Sequence, residues 1–167
     1  RSVIKRVFDV FACTTLLVVA VPIMIVTAIL ILIEDGYPIF YQQERVGKGG
    51  KIFKLYKFRS MKENAEPNGP ALSSDFDDRI TSFGRIMRKW RIDEFPQFWN
   101  VLKGEMSIVG PRPEVPEYVR HYTKEQLKVL SVLPGLTDLA SIEYINENET
   151  LGKAKDPEKE YVEVIMP

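Results

Sequence analysis

The sequence has few of the residues that build disulfide frameworks and metal centres. Its 167 residues include one cysteine, Cys13, and one histidine, His121. One thiol cannot form an internal disulfide, and neither residue has the partners that a zinc site requires. A disulfide scaffold and a zinc centre are therefore excluded. A hydrolase that uses His121 as its base lacks a nucleophile-elbow motif to support it.

The sequence also lacks net charge, because 23 basic residues balance 23 acidic ones. This balance, without a recognisable nucleic-acid-reading motif, argues against a nucleic-acid partner. The two signs are unevenly distributed, however, since residues 1–62 hold 10 Lys and Arg against 4 Asp and Glu. A basic region beside an apolar segment favours anionic membrane lipid as a partner.

Charge is absent altogether from the run of 24 residues between Val10 and Ile33. As a straight helix this run would be about 36 Å long, enough to cross a bilayer. Pro22 lies near its middle, where proline removes a backbone hydrogen bond and favours a bend. Basic residues flank both ends, and such flanks prefer the cytoplasmic side. A spanning helix and a re-entrant helix bent at Pro22 both fit these residues.

The chemistry that is present concentrates between residues 85 and 113. Two adjacent carboxylates, Asp93 and Glu94, lie among basic residues there. Pro96 is tolerated only in a first helical turn, and Gly104 is suited to a helix end. Apolar residues with the spacing of one helix face lie around them: Ile92, Phe95, Phe98, Trp99 and Leu102. This pattern predicts a helix from near Asp93 to Gly104.

Such a helix would place both carboxylates at the positive end of its dipole, which favours their ionised form. An aspartate at a helix start is most often a plain N-cap. An ionised Asp93 among arginines can instead attack a phosphate or help to bind a metal ion. The residues around it decide between these interpretations.

The segment IDEFPQFWNVLKGEMSIVGPRP (92–113) closely resembles the catalytic core of the small monotopic phosphoglycosyl transferases, the bacterial sugar transferases. The likeness extends from KRVFD (5–9) through KIFKLYKFRSM (51–61) to PGLT (134–137). It implies transfer of a phosphosugar from a nucleotide diphosphate sugar, with a uridine nucleotide expected, to polyprenyl phosphate. The products would be polyprenyl diphosphate sugar and nucleoside monophosphate, in the first membrane step of glycoconjugate and polysaccharide assembly.

The resemblance also implies roles for individual residues. Asp93 would be the nucleophile that forms a covalent phosphosugar intermediate, and Glu94 would act beside it and bind Mg²⁺. The side chains expected at the substrate phosphates are Lys57, Arg59, Arg88 and Arg112. For Lys57 and Arg59, a solvated basic strand end is an equally good interpretation. Prolines on both sides of Arg112 limit its backbone freedom, which suits bidentate binding of a phosphate.

The expected fold is α+β. Residues 1–36 would form a re-entrant membrane helix-break-helix bent at Pro22, although the family's usual serine before that proline is replaced here by Val21. Residues 37–167 would form a small, mostly helical cytosolic domain with a short β-hairpin, on the cytoplasmic face of the bacterial inner membrane. A loop over 63–74, a strand over 139–145 and a last helix from Asp156 are also predicted.

A second hypothesis comes from another functional class. A membrane-anchored module could bind anionic lipid without turnover, and the basic N-terminal half alone would serve that purpose. It leaves the carboxylate pair among arginines unexplained.

Overall fold

The structure is a computed structural model that describes residues 3–62 and 77–138. Its helices and strands are α1 (Val3–Asp35), β1 (Phe40–Val46), β2 (Ile52–Phe58), α2 (Ser82–Lys89), α3 (Gln97–Lys103), β3 (Ser107–Val109), α4 (Pro116–Val119) and β4 (Gly135–Thr137). Three short 3₁₀ turns lie at Lys48–Gly50, Ile92–Glu94 and Gln126–Ser131. This mixture of helix and strand confirms the α+β class. The elements predicted over 63–74, over 139–145 and from Asp156 lie outside the described residues.

The apolar N-terminal run forms the single helix α1, which continues through Pro22. Pro22 has no N–H to donate to the carbonyl of Val18, yet no interruption divides α1 into the two helices expected from the sequence. By length and composition, α1 is the one helix in the described part of the chain that could cross a membrane.

One side of α1 packs against the rest of the chain along the whole helix. Its buried residues recur at intervals of four or seven, which places them on one side: Asp9, Cys13, Ala20, Thr27 and Ile31. The other side is exposed and apolar, and includes Ile4, Phe8, Phe11, Val18, Ile25, Ile29 and Ile33. An exposed apolar surface of this extent marks a contact with lipid or with another protein.

Both ends of α1 are hydrogen-bonded to helices of the same body. Near its start, the Arg6 guanidinium donates to the carbonyls of Val101 at 2.6 Å and Leu102 at 2.5 Å. These carbonyls lie in the last turn of α3. The Val101 carbonyl also accepts from the Gly104 N–H at 3.0 Å, whereas the Leu102 carbonyl is one of those that a helix end leaves without a partner within the helix. Near the other end, Glu34 accepts a hydrogen bond at 3.0 Å from the N–H of Phe83 in the first turn of α2. Arg6, taken from the sequence as a membrane flank, therefore also caps α3.

A second contact near the start of α1 involves Asp9, which is fully buried. Its carboxylate accepts from the Lys5 ammonium at 2.6 Å, the Ser107 hydroxyl at 3.0 Å and the Ile108 N–H at 3.2 Å. Burying a carboxylate is tolerated only when it is paired and hydrogen-bonded in this way. The contact fixes α1 against β3.

Two small strand pairs complete the body. Strands β1 and β2 are antiparallel, with Phe40 opposite Phe58, which confirms the predicted hairpin. Strands β3 and β4 are parallel. The backbones approach closely beyond β3, because a side chain on Gly135 would meet the Gly110 carbonyl oxygen at 2.2 Å. Two buried clusters form the core: Cys13, Ala20, Leu55, Phe98, Val101 and Met106, and then Ile31, Phe58 and Met87.

The helix predicted over 93–104 is shorter than expected. Asp93 and Glu94 lie in a 3₁₀ turn, Pro96 precedes the first residue of α3, and α3 ends before Gly104. Gly104 adopts the left-handed conformation with φ 84°, as its role at a helix end requires.

Asn100 connects α3 to β2. Its buried amide donates to the carbonyl of Lys54 at 2.7 Å and to the carboxylate of Glu105 at 2.8 Å. Its side-chain oxygen accepts from the N–H of Tyr56 at 3.2 Å. Because these partners are largely enclosed, their hydrogen bonds have no ready replacement from water.

We therefore expect Asn100→Ala to lower the free energy of unfolding by on the order of 2 kcal/mol, since buried backbone groups of β2 lose their partner. Thermal unfolding of the detergent-solubilised protein measures this loss. The exposed Asp78→Ala is the matched control and should leave the midpoint unchanged. Equal midpoints for both variants would contradict the role assigned to Asn100.

Candidate active site

Three separate segments bring charged side chains together. Strand β2 carries Lys57, the 3₁₀ turn carries Asp93 and Glu94, and the turn after β3 carries Arg112. The 3₁₀ turn follows Arg91, whose φ of 53° is in the left-handed region. A non-glycine residue held there costs about 1–3 kcal/mol, and such strain clusters at functional sites.

The central contact of this cluster joins Lys57 to Glu94. The ammonium of Lys57 lies 3.0 Å from one carboxylate oxygen of Glu94. The guanidinium of Arg91 lies 3.9 Å from the other oxygen. Burial alone would raise the pKa of Glu94, but the charges of Lys57, Arg112 and Arg91 outweigh it and lower that pKa below its ordinary value.

Asp93 differs from its neighbour. Asp93 is 8% exposed, and this burial raises the pKa of its carboxyl above the ordinary value of 3.8. Lys57 and Arg88 act in the opposite direction, while the negative charge of Glu94 adds to the increase. Burial therefore opposes the ionisation that a helix dipole was expected to favour at Asp93. Its turn is a short 3₁₀ segment, and burial outweighs the dipole.

A pocket opens beside this pair, and we call it the cationic pocket. Its polar lining consists of Arg45, Lys57, Arg91, Arg112, Glu94 and Gln97. Four cations against one carboxylate make it suited to an anion with more than one negative charge. Asp93 lies next to this pocket, close enough to Lys57 for the two charges to interact.

The turn that carries Arg112 is held at several points. Pro111 and Pro113 have no backbone N–H, so Arg112 supplies the single N–H of this tripeptide, and it donates to the carboxylate of Asp138 at 2.9 Å. Arg45 donates to the Pro113 carbonyl at 3.0 Å. These contacts fix the backbone from which the Arg112 side chain extends, as the two prolines predicted.

The remaining predicted phosphate ligands are placed differently from one another. Arg88 donates from Nε to the Ser60 hydroxyl at 2.9 Å and lies near Asp93. The structure thus brings Arg88, Lys57 and Arg112 around the two carboxylates.

Arg59 has other partners. Its guanidinium donates to the carbonyls of Asp35 and Gly36 at 2.8 Å and of Tyr37 at 3.1 Å. It also lies 3.3 Å from the Asp35 carboxylate. Arg59 therefore supplies hydrogen-bond donors to the carbonyls at the end of α1. Its predicted role in phosphate binding has no support from these contacts.

Three polar residues of the cationic pocket were not among the site residues predicted from the sequence: Arg45, Arg91 and Gln97. Arg45 appeared only as one of several basic residues that follow the apolar run. Gln97 lies three residues after Glu94, and that spacing was the available signal, because residues three apart lie on one side of a helical segment.

The sequence can be compared with known proteins at this point. A family model described as bacterial sugar transferase matches residues 1–166. The chain belongs to this family.

Individual relatives of this sugar transferase agree with that assignment. An Aeromonas hydrophila protein named UDP-N-acetylgalactosamine-undecaprenyl-phosphate N-acetylgalactosaminephosphotransferase is 47% identical over 122 residues, which cover 73% of this chain and 29% of the relative. A Bacillus subtilis protein, provisionally named undecaprenyl-phosphate N-acetylgalactosaminyl 1-phosphate transferase, is 48% identical over 134 residues, covering 80% and 71%. The undecaprenyl-phosphate galactose phosphotransferase of Salmonella typhimurium is 38% identical over 159 residues, covering 86% and 33%.

Mg²⁺ is the metal ion expected at this site. The described residues contain no group of three or more His, Cys, Asp or Glu side chains that could hold a metal ion. Mg²⁺ is commonly bound by one or two carboxylates together with substrate phosphates and water. Asp93 and Glu94 supply that many carboxylates, so the residues fit a Mg²⁺ that is shared with a phosphate.

The opposite pKa shifts of the two carboxylates have consequences for stability. Because the pKa of Asp93 is raised in the folded protein, the folded state holds this proton more tightly than the unfolded chain does. The free energy of unfolding therefore falls as the pH rises from the ordinary pKa of 3.8 through the raised pKa of the folded state. Because the pKa of Glu94 is lowered in the folded protein, its ionised form stabilises the fold at pH values above the ordinary pKa of 4.5. This contribution is lost as the pH falls through the lowered pKa of the folded state.

At pH 7.5 we expect Asp93→Asn to raise the unfolding midpoint and Glu94→Gln to lower it, each by roughly 2–4 °C for a change of about 1 kcal/mol. Thermal unfolding in detergent measures both, and the difference between Asp93→Asn and the parent protein should shrink near pH 4. A lower midpoint for both variants would contradict the opposite roles of the two charges.

Proposed function

We propose that this chain transfers a phosphosugar from a nucleotide diphosphate sugar to polyprenyl phosphate. The products are polyprenyl diphosphate sugar and nucleoside monophosphate. The observation that carries this proposal is the position of Lys57, next to both carboxylates and on the wall of a pocket that also contains Arg112. The names of the relatives support it, since three of them include undecaprenyl phosphate. Those names differ in the sugar, so no particular sugar is proposed.

The proposed reaction has two displacements through Asp93. An oxygen of its carboxylate attacks the phosphorus that bears the sugar. The bond from that phosphorus to the bridging oxygen breaks, and nucleoside monophosphate leaves with the electron pair. An oxygen of polyprenyl phosphate then attacks the same phosphorus, and the Asp93 carboxylate leaves. A covalent intermediate divides one difficult transfer between two anions into two easier steps.

The raised pKa of Asp93 supports this assignment. Its burial weakens hydration of the carboxylate, and a poorly hydrated anion close to Lys57 and Arg88 is a better nucleophile than an exposed one. The attack requires the ionised form, so the first displacement should slow as the pH falls through the raised pKa.

The cations of the pocket supply the charge stabilisation on which phosphoryl transfer mostly depends. A diphosphate bound at Arg112 and Lys57 would compete with Glu94 for the Lys57 ammonium, which lies 3.0 Å from Glu94. Glu94 would then be free to change partner. We propose that Glu94 binds Mg²⁺ delivered with the diphosphate, and that the ion, when bound, neutralises charge on the leaving phosphate.

The contacts of α1 support a re-entrant course in the membrane. A straight helix of 33 residues is about 50 Å long, so crossing a bilayer would put its ends on opposite sides. Arg6 and Glu34, near the two ends, instead bond to α3 and α2 of one body. We therefore propose that both ends lie on the cytoplasmic side of a bacterial cytoplasmic membrane, with the exposed apolar side of α1 in phospholipid.

The covalent step is tested with donor alone. Mixing the protein with a nucleotide diphosphate sugar and Mg²⁺, without lipid, should release nucleoside monophosphate and leave a phosphosugar adduct on Asp93. Intact-protein mass and peptide mapping detect it. Asp93→Asn should form no adduct, whereas Glu94→Gln should form one slowly, because it keeps the nucleophile.

An adduct on Glu94, or unchanged turnover in Asp93→Asn, would reverse these roles. Nucleoside monophosphate that appears only when both substrates are present would argue for direct transfer. No release with any donor would favour the alternative, a membrane-anchored module that binds anionic lipid without turnover.

The re-entrant course is tested by cysteine labelling in intact cells. Ser2→Cys and Lys51→Cys introduce thiols on either side of the apolar run, and the buried Cys13 of the parent protein is the background control. An impermeant maleimide should label neither new thiol until the cells are opened. Labelling of just one of the two in intact cells would establish a spanning helix.

A further inference from the structure

Two buried side-chain amides lie on α3, and their surroundings differ. Asn100 is fully buried and makes three side-chain hydrogen bonds, to Lys54, Tyr56 and Glu105. Gln97 is 4% exposed. Its side chain makes no hydrogen bond to any residue in the described ranges 3–62 and 77–138, although it lines the cationic pocket.

An amide that is removed from water without a partner lowers stability, so buried amides are normally hydrogen-bonded. Asn100 follows this rule through partners within the protein. The amide atoms of Gln97 are not among the enclosed polar atoms that lack a partner in the described residues, so they are accessible from the cationic pocket, which Gln97 lines. The difference has a simple explanation if the partner of Gln97 is a molecule that enters the pocket.

The neighbours of Gln97 indicate the chemistry of that molecule. Lys57 and Arg112 line the same pocket and attract anionic oxygens. A neutral amide adds a hydrogen-bond donor there without repelling these cations or adding another charge. Gln97 also follows Glu94 by three residues and Asp93 by four, which directs the three side chains towards one side.

We propose that Gln97 is a substrate-binding residue whose amide nitrogen donates a hydrogen bond to a phosphoryl oxygen of the nucleotide diphosphate. The inference rests on the proposed function. It places the nucleotide diphosphate sugar, rather than polyprenyl phosphate, in this part of the pocket. Lys57 and Arg112 then attract the diphosphate by charge, and the amide of Gln97 orients it by a directional hydrogen bond.

The test separates binding from stability with two substitutions at Gln97. Gln97→Leu keeps the approximate size but removes the donor, and Gln97→Glu keeps the shape but adds a negative charge. UDP with Mg²⁺ is the probe, and its affinity is measured by calorimetry in detergent. We expect Gln97→Leu to weaken UDP binding roughly tenfold, as for a lost hydrogen bond to a charged group, and Gln97→Glu to weaken it further.

The unfolding midpoint without ligand distinguishes this role from a structural one. Gln97→Leu should keep or raise the midpoint, since an unpartnered amide is replaced by an apolar group. Asn100→Ala, the matched change of the satisfied amide on the same helix, should lower it. A midpoint for Gln97→Leu that falls as far as that of Asn100→Ala, with UDP binding unchanged, would overturn the proposal.

Two further comparisons make the result specific. Weaker binding of UDP-sugars, with UDP itself unaffected, would show that Gln97 contacts the sugar and would overturn the phosphate assignment. If the parent protein binds UDP but transfers no phosphosugar, the proposed function fails while a weaker Gln97→Leu still supports the contact. A parent protein that does not bind UDP at all would overturn both.

Discussion

One ammonium group, that of Lys57, lies beside both adjacent carboxylates and lowers the pKa of each. At Glu94, its ion pair and the neighbouring arginines outweigh burial and lower the pKa, whereas at Asp93 burial outweighs its charge and the pKa is raised. Lys57 is placed by β2, and β2 is held to α3 by the amide of Asn100. The chemistry of the site therefore depends on a backbone connection several residues away from it.

Helix α1 also holds in place the elements that carry the site. Arg6 caps the end of α3, and Asp9 holds the start of β3, the strand that leads to the Arg112 turn. Cys13 and Ile31 belong to the two buried clusters. The division into a membrane segment over 1–36 and a cytosolic domain over 37–167 remains a prediction, but the described contacts join these ranges throughout.

Much of the site could be predicted from the sequence, because its motif residues lie in short segments with strong local signals. Prolines around Arg112 and glycine at position 104 specify backbone geometry locally. The helix end at Gly104 is confirmed, while the role of Arg112 at a phosphate stays a prediction. The contacts that were not predicted join partners far apart in sequence. Arg59 was expected at a phosphate or at a solvated strand end, and it donates to carbonyls at the end of α1, more than 20 residues earlier. Its role at a phosphate stays a prediction. The raised pKa of Asp93 was not predicted either, because burial arises from tertiary packing, which helix periodicity does not report.

The capping of α3 by Arg6 also bears on how this protein can be handled. A chain trimmed before β1 would lose that guanidinium and uncover Phe98, Val101 and Met106, which α1 helps to bury. Such a fragment would be an aggregation-prone remnant rather than a soluble catalytic domain. Helix α1 is thus a structural part of the folded body that carries the site, and preparations of this protein must retain it.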